Sequence, residues 1–373
     1  MKDVAVIGGG FAGIAACKFL SRHKHSINVS LFDSKATTDF LPVMPDCLGR
    51  GISPAFLSYP IEDLSKKFRV KFINAEVLAL ALDKKKIMTS SGEFGYDYVI
   101  VASGSQTNFY GNDNIKGSAY KLDSVADASK ISAVIRERQF DNFIIAGGGY
   151  TGIEVATNLA RFFSRERNKN IILVERAGSI LGPLSAWMKE YTAANLRKLR
   201  IEPILNASIE RIDGENVYIS GARAFNRAIV IWAAGVRTAK FIQDLNCEKS
   251  PQGRIRVDKY LKLNDSCFVA GDAADFFFRG NYLRMAVQFA ILEGYCAAEN
   301  VLRSIKGKGL KEYRPLDLGY IIPMANNKSC GVIFGINLKG FLPTLMHFMM
   351  CVFRSYGLKN KIGIIKNLIK GGL

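Results

Sequence analysis

The same local pattern occurs twice in this chain, and few folds can hold it. Val4-Ala5-Val6-Ile7 is a short apolar run, as expected of a strand buried on both faces of a parallel sheet. Gly8, Gly10 and Gly13 follow in a GxGxxG spacing, and Ile14-Ala15-Ala16-Cys17-Lys18-Phe19-Leu20 reads as a helix. The first glycine permits the tight turn, the second lets backbone approach a pyrophosphate, and the third lets helix pack on strand. Asn28-Val29-Ser30-Leu31-Phe32 is a second strand, ending in Asp33, whose carboxylate can accept from two ribose hydroxyls. The arrangement then repeats. Phe143-Ile144-Ile145-Ala146 leads into Gly147, Gly149 and Gly152, a helix runs from Ile153 to Phe163, and Ile171-Ile172-Leu173-Val174 ends in Glu175. Each copy puts the free N–H groups of a helix N-terminus against an anion. Two copies imply two dinucleotides, and a chemistry that moves electrons from one to the other.

Glu175 suits a ribose diol and repels a 2′-phosphate, which favours NADH. The adjacent Arg176 suits that phosphate, so NADPH stays open. Three further strand ends run into small-residue turns: Tyr98–Ser105 (YVIVASGS), Ile229–Val236 (IVIWAAGV) and Cys267–Ala274 (CFVAGDAA). A carboxylate such as Asp272 at such a strand end can bond a ribityl hydroxyl, and the neighbouring amides can take a phosphate.

Composition narrows the alternatives. Hydrophobic residues are 49% and charged residues 23%, enough for buried cores and too apolar for gross disorder. Seven scattered cysteines with no CxxC exclude a disulfide scaffold and a zinc ribbon. Three histidines without an HExxH leave no expected metal site. The net charge of +18 calls for an anionic partner surface. No groove of interleaved aromatic and basic residues is legible, so nucleic acid is not expected. No signal-peptide-like run opens the chain, and a cytoplasmic location is expected.

The ordered set GGGFAG, VIVASGS, GGGYTGIE, VIWAAGV and VAGDAAD resembles the two-dinucleotide flavoprotein superfamily, and within it the type II NADH dehydrogenases (NADH:quinone oxidoreductases), over roughly residues 2–340. The resemblance implies an α/β fold of two Rossmann-like domains, glutathione-reductase-like, with the NAD domain inserted in the FAD domain. It implies FAD in the first site, NADH in the second, hydride transfer to flavin N5, and a lipid quinone reduced on the opposite flavin face. Carried over residue by residue, the FAD contacts are Gly8, Gly10, Phe11, Ala12, Gly13, Asp33, Ser34, Lys35, Val77, Ala102, Ser103, Gly104, Gly271, Asp272, Val287 and Gln288. The NADH contacts are Gly147, Gly149, Tyr150, Thr151, Gly152, Glu154, Glu175, Ala234 and Gly235. Glu154, beside the nicotinamide, and Gln288, at the flavin-facing helix, are the expected catalytic residues. The implied domains are 1–110 with 240–320 for FAD, 111–239 for NAD(P)H, and 321–373 as a quinone- and membrane-facing segment.

The chain departs from this family where AQxAxQQG is common: Val287 to Gly294 reads VQFAILEG, with Leu292 and Glu293 in place of the later glutamines. The quinone type is left open. A disulfide reductase is excluded, because only Cys47 lies where such enzymes carry CxxxxC. Three alternatives stand: an NADH oxidase or peroxidase using Cys47 as a sulfenic acid, a sulfide:quinone oxidoreductase, and a flavoprotein like apoptosis-inducing factor.

Beyond Asp317 the chain has no acidic residue and seven basic ones. Phe341 to Phe353 is apolar but short of the ~20 residues a membrane span needs. After Gly357, the residues Leu358, Ile362, Ile365 and Ile369 recur at helical spacing beside Lys359, Lys366 and Lys370. That pattern predicts amphipathic helices lying on an anionic membrane surface, which makes the protein peripheral (monotopic) at the cytoplasmic face. A homodimer seam is the other use of such a face.

Overall fold

Lys2–Ile7 lies inside a six-stranded sheet, with its last four residues buried as the unbroken apolar run requires. The strand order is 262–264, 267–269, 98–101, 2–7, 27–33, 71–74, parallel except for the antiparallel edge pair 262–264 and 267–269. A second sheet has the order 120–121, 228–232, 142–146, 170–174, 201–204 and is parallel throughout. Both are doubly wound Rossmann-like sheets, in which each glycine loop leaves the C-terminal end of a strand.

The computed structural model describes residues 1–23, 25–137, 139–221 and 223–373. They form two compact units. The first holds 1–38, 59–106 and 236–317; the second holds 39–58, 107–235 and 318–373. The first unit is built on a core that includes Ile7, Phe32, Val99, Val101, Cys267 and Val269. The second has two cores: one around Phe143, Ile153, Leu159 and Leu173, and one around Ile144, Val174, Val230 and Trp232. They are the two sets of alternate residues on shared strands, as a sheet covered on both sides demands.

The second unit ends in an antiparallel meander (319–322, 329–333, 336–340) followed by the helices Phe341–Arg354 and Leu358–Lys370. Gly357 takes φ +76° just ahead of the last helix. That helix is fastened to its own unit by polar contacts. Asn367 accepts the peptide N–H of Ser53 at 2.9 Å, Asn360 donates to Ser58 O at 2.9 Å, and Arg161 donates to Gly371 O. Gly363 sits against the Phe56 ring where a Cβ would be only 2.4 Å from it. Among the described residues, no helix is long and apolar enough to cross a membrane.

Candidate functional site

The first glycine loop is built by close backbone approach. Gly8 has φ +108°, and a Cβ there would lie 2.3 Å from Ala102 O. A Cβ on Gly13 would lie 1.8 Å from Gly8 O, so the helix Phe11–Leu20 can seat only with glycine there. A Cβ on Gly10 would meet nothing within 4 Å, which leaves room on the side a ligand must occupy. Gly10 is the N-cap, no side chain caps the helix, and its first turn has no acid. Asp33 ends the next strand; its Oδ2 accepts the Gly9 N–H at 2.6 Å and its Oδ1 the Lys35 N–H at 2.8 Å. Phe11 is half-buried, Ala12 buried, Ser34 and Lys35 exposed.

The second loop duplicates the first nearly bond for bond. Gly147 has φ +104°, and its Cβ would lie 2.5 Å from Ala233 O; Gly152 would place one 1.8 Å from Gly147 O. Gly149 again faces open space and starts a helix, Tyr150–Phe162, without a side-chain cap. Glu175 accepts the Gly148 N–H at 2.6 Å and the Ala177 N–H at 2.7 Å. Gly235 is pinned by Tyr110, whose hydroxyl donates to Ala234 O at 2.9 Å. Tyr150 and Thr151 open the helix, half-buried and exposed. Such paired carboxylates and uncapped helix starts suit ribose hydroxyls and pyrophosphate.

In the first unit three more elements join its loop. Ala102 is buried, Gly104 has φ +67°, and the Ser103 hydroxyl is buried with no protein hydrogen-bond partner among the described residues. Gly271, φ +70°, begins a single helical turn in which Asp272 Oδ2 accepts the Ser105 hydroxyl at 2.8 Å. Burial raises the Asp272 carboxyl, opposed by the Ser105 bond and Arg254. The orphan hydroxyl, the open face of Gly10 and the uncapped helix fit a bound dinucleotide. Val77 opens the strand Val77–Ala81 and packs against the Ile7–Phe32 core. Val287 begins the helix Val287–Ile305; the buried Gln288 donates its amide to Asp317 at 3.0 Å, and Arg284 forks onto the same carboxylate at 2.7 and 2.8 Å.

Residue types alone hid several neighbours. Glu293, 2% exposed, accepts the Gly271 N–H at 2.7 Å. Arg254, also buried, donates to Asp272 O at 3.2 Å, to Ala274 O and to Leu283 O at 2.9 Å, and pairs with Asp275 at 3.3 Å. In the second unit Glu154 is partly buried, and burial, then Asp46, pushes its carboxyl well above the usual range. Asp46 pairs with the fully buried Arg50 at 3.0 Å, while Arg50 donates to Asn327 at 2.8 Å and Ala325 O at 3.0 Å. Cys47 is 3% exposed, and burial drives its thiol far above the ordinary range. No His/Cys/Asp/Glu group suited to a metal occurs among the described residues.

A family model described as pyridine nucleotide-disulphide oxidoreductase matches residues 2–294. The type II NADH:quinone oxidoreductase of Staphylococcus aureus (strain NCTC 8325 / PS 47) is 25% identical over 375 residues, covering 91% of this chain and 91% of that protein. Among solved structures, NDH2 from Plasmodium falciparum in complex with NADH superposes with a TM-score of 0.85 at 16% identity, over 99% of this chain and 98% of that one. The sulfide:quinone oxidoreductase of Aquifex aeolicus gives 0.81 at 16% identity, over 97% and 92%. These likenesses establish the two-Rossmann fold.

Proposed function

Because the chain belongs to the pyridine nucleotide-disulphide oxidoreductase family, we propose that it is a flavoprotein NADH:quinone oxidoreductase of type II, which does not pump protons. The observation that carries this reading is the duplicated loop and acid: Gly9 with Asp33 and Gly148 with Glu175, both at 2.6 Å, in a chain alike in length and pattern to a type II enzyme. Bound FAD supplies a two-electron relay between a nicotinamide donor and a quinone.

In this reading the first unit holds FAD. The helix starting at Phe11 faces the pyrophosphate, Asp33 the ribose, Ser103 and Asp272 the polar chain of the cofactor, and the Val287–Gln288 peptides the flavin edge where negative charge develops. The second unit holds NADH on Gly147–Gly152, with Glu175 on the adenosine ribose and Glu154 placing the nicotinamide, a positioning role. Gln288 acts through its backbone, since its side chain is committed to Asp317.

The tail attaches the enzyme to an anionic membrane, peripherally and at the cytoplasmic leaflet, where a lipid quinone is at hand. Leu358, Ile362, Ile365 and Ile369 are exposed beside Lys359, Lys366 and Lys370, while Gly363, Ile364 and Leu368 face the unit's interior. The preceding helix adds exposed Phe341, Leu342, Met349 and Phe353. Each large apolar side chain that leaves water contributes about 1.5–3 kcal/mol, and each lysine about 1 kcal/mol near anionic lipid. A handful of each suffices for stable attachment.

The test is anaerobic flavin bleaching by NADH, followed by turnover with a short-chain quinone on the lipid-supplemented protein. Bleaching without quinone-dependent turnover would reject the quinone half of the proposal; a protein with no flavin absorbance would reject all of it.

A further inference from the structure

A buried carboxyl lies directly behind the turn that carries Asp272. The helix Val287–Ile305 brings Glu293 there and packs closely against the neighbouring elements. A Cβ on Gly294 would stand 2.1 Å from Ala12 O, and one on Gly271 would stand 3.0 Å from the Ala12 Cβ and 3.5 Å from the Ala290 Cβ. One helix face thus touches both the first turn of Phe11–Leu20 and the Gly271–Ala273 turn. Glu293 is 2% exposed, and its Oε2 takes the Gly271 N–H at 2.7 Å.

The nearest cation cannot neutralise it well. Arg254 spends its donors on the carbonyls of Asp272, Ala274 and Leu283 and on the Asp275 carboxylate. The other titratable groups within electrostatic reach are Asp272 on the turn, Tyr313 on the segment that follows the helix, and Cys296 one turn along it. None is a positive charge. Ionised, Glu293 is therefore a buried anion one peptide away from a turn assigned to an anionic cofactor.

We propose that Glu293 is a positioning residue for FAD: it fixes the Gly271 peptide, and its ionisation weakens retention of the cofactor, whose pyrophosphate is assigned to the adjoining start of the Phe11–Leu20 helix. This inference rests on the FAD assignment made above. Burial, opposed by the Gly271 bond and Arg254 and assisted by Asp272, pushes the Glu293 carboxyl up to about 8. The sign follows from linkage. A dianionic pyrophosphate prefers the protein with Glu293 protonated, so FAD binding raises the proton affinity of Glu293. Equivalently, FAD affinity falls as pH rises past about 8, by at most about tenfold per pH unit for one linked proton.

The experiment follows FAD release from the diluted holoprotein by the rise in flavin fluorescence, from pH 7 to pH 10 at fixed ionic strength. Wild type, Glu293→Gln and Glu293→Ala are compared, with far-ultraviolet circular dichroism checking that each is folded. The apparent dissociation constant of the wild type is expected to rise about tenfold per unit above pH 8. Glu293→Gln, whose amide oxygen still accepts the Gly271 N–H, should match the wild type at pH 7 and stay flat to pH 10. Glu293→Ala should release FAD about tenfold more readily at every pH, the loss of one buried hydrogen bond. A Glu293→Gln profile that parallels the wild type overturns the proposal, whatever becomes of Glu293→Ala. A wild type without flavin overturns the FAD assignment itself.

Discussion

Glu175 accepts the peptide N–H of Gly148 at 2.6 Å, and its other oxygen accepts the N–H of Ala177 at 2.7 Å. Both oxygens are thereby fixed at the end of the strand while lone pairs remain for two vicinal hydroxyls, because a carboxylate has about four acceptor sites. The same anion repels a phosphate on the ribose. Glu175→Ala should therefore cut kcat/KM for NADH about 10–100-fold, as expected for hydrogen bonds to a charged group worth about 1.5–3 kcal/mol. NADPH should lose less, since the exposed Arg176 can meet its phosphate. Steady-state kinetics with both coenzymes check this; an unchanged NADH to NADPH ratio would count against Glu175 on the ribose.

The two glycine loops should fail separately. An added Cβ on Gly152 stands 1.8 Å from Gly147 O, and one on Gly13 stands 1.8 Å from Gly8 O. In each case the neighbour is backbone and has nowhere to move without opening its loop. Gly152→Ala is expected to keep its flavin absorbance yet lose saturation by NADH, whereas Gly13→Ala is expected to lose the flavin. Visible spectra of the purified variants, followed by NADH titration, separate the two. A Gly13→Ala protein with full flavin content would reverse the assignment of the loops.

Those loops and their acids were legible in the sequence because they rest on local rules: a positive φ, a clash that only glycine avoids, and an acid at the next strand's end. The helix after Gly357 and its two faces were legible for the same reason, since periodicity is local. What escaped depends on distant pairing. Arg50 and Asp46 gave no sign that they would be buried together, nor that Arg50 would reach Ala325 and Asn327. Those contacts, with Ser53 to Asn367, tie residues 39–58 to the tail inside the second compact unit. Glu293 was visible only as a departure from a common motif; its partner, Gly271, lies in another element.

That tie changes how membrane attachment should be tested. Deleting the tail would strand the Arg161 donor that now meets Gly371 O and uncover Phe56 beside Gly363. Charge substitutions on the outer face avoid this. Ile362, Ile365 and Ile369 are 43%, 42% and 72% exposed, so replacing all three by glutamate leaves the packed side intact. The triple variant should sediment poorly with vesicles containing phosphatidylserine, while its melting temperature stays within a few degrees of wild type. Equal sedimentation would remove this face from the attachment surface.

Cys47 should prove dispensable. A peroxidase-type cycle needs a thiolate that solvent and peroxide can reach, and here the thiol is 3% exposed with its ionisation strongly suppressed by burial and then by Asp46. Cys47→Ser is expected to retain quinone-dependent turnover within about threefold, at a stability cost of about 1 kcal/mol for a hydroxyl placed in an apolar site. Abolished turnover in a folded, flavin-loaded Cys47→Ser would favour the thiol-dependent alternative.

Glu293 makes a stability prediction whose sign can be fixed in advance. Its carboxyl is raised from 4.5 to about 8 in the folded protein. Between those values the native state keeps a proton that the unfolded chain releases, so stability falls as pH rises through this window and levels off above it. The slope is at most about 1.4 kcal/mol per pH unit. Glutamine has no proton to release, so Glu293→Gln removes this slope and leaves the contributions of other groups in place. Urea unfolding of both proteins in excess FAD, from pH 5 to pH 8.5, should show Glu293→Gln gaining on the wild type steadily with pH. The gap should be small at pH 5 and largest at pH 8.5, because bound FAD raises the proton affinity of Glu293 further. A constant difference across this range would mean that Glu293 is already ionised in the folded protein, with its anion offset by a partner other than Arg254.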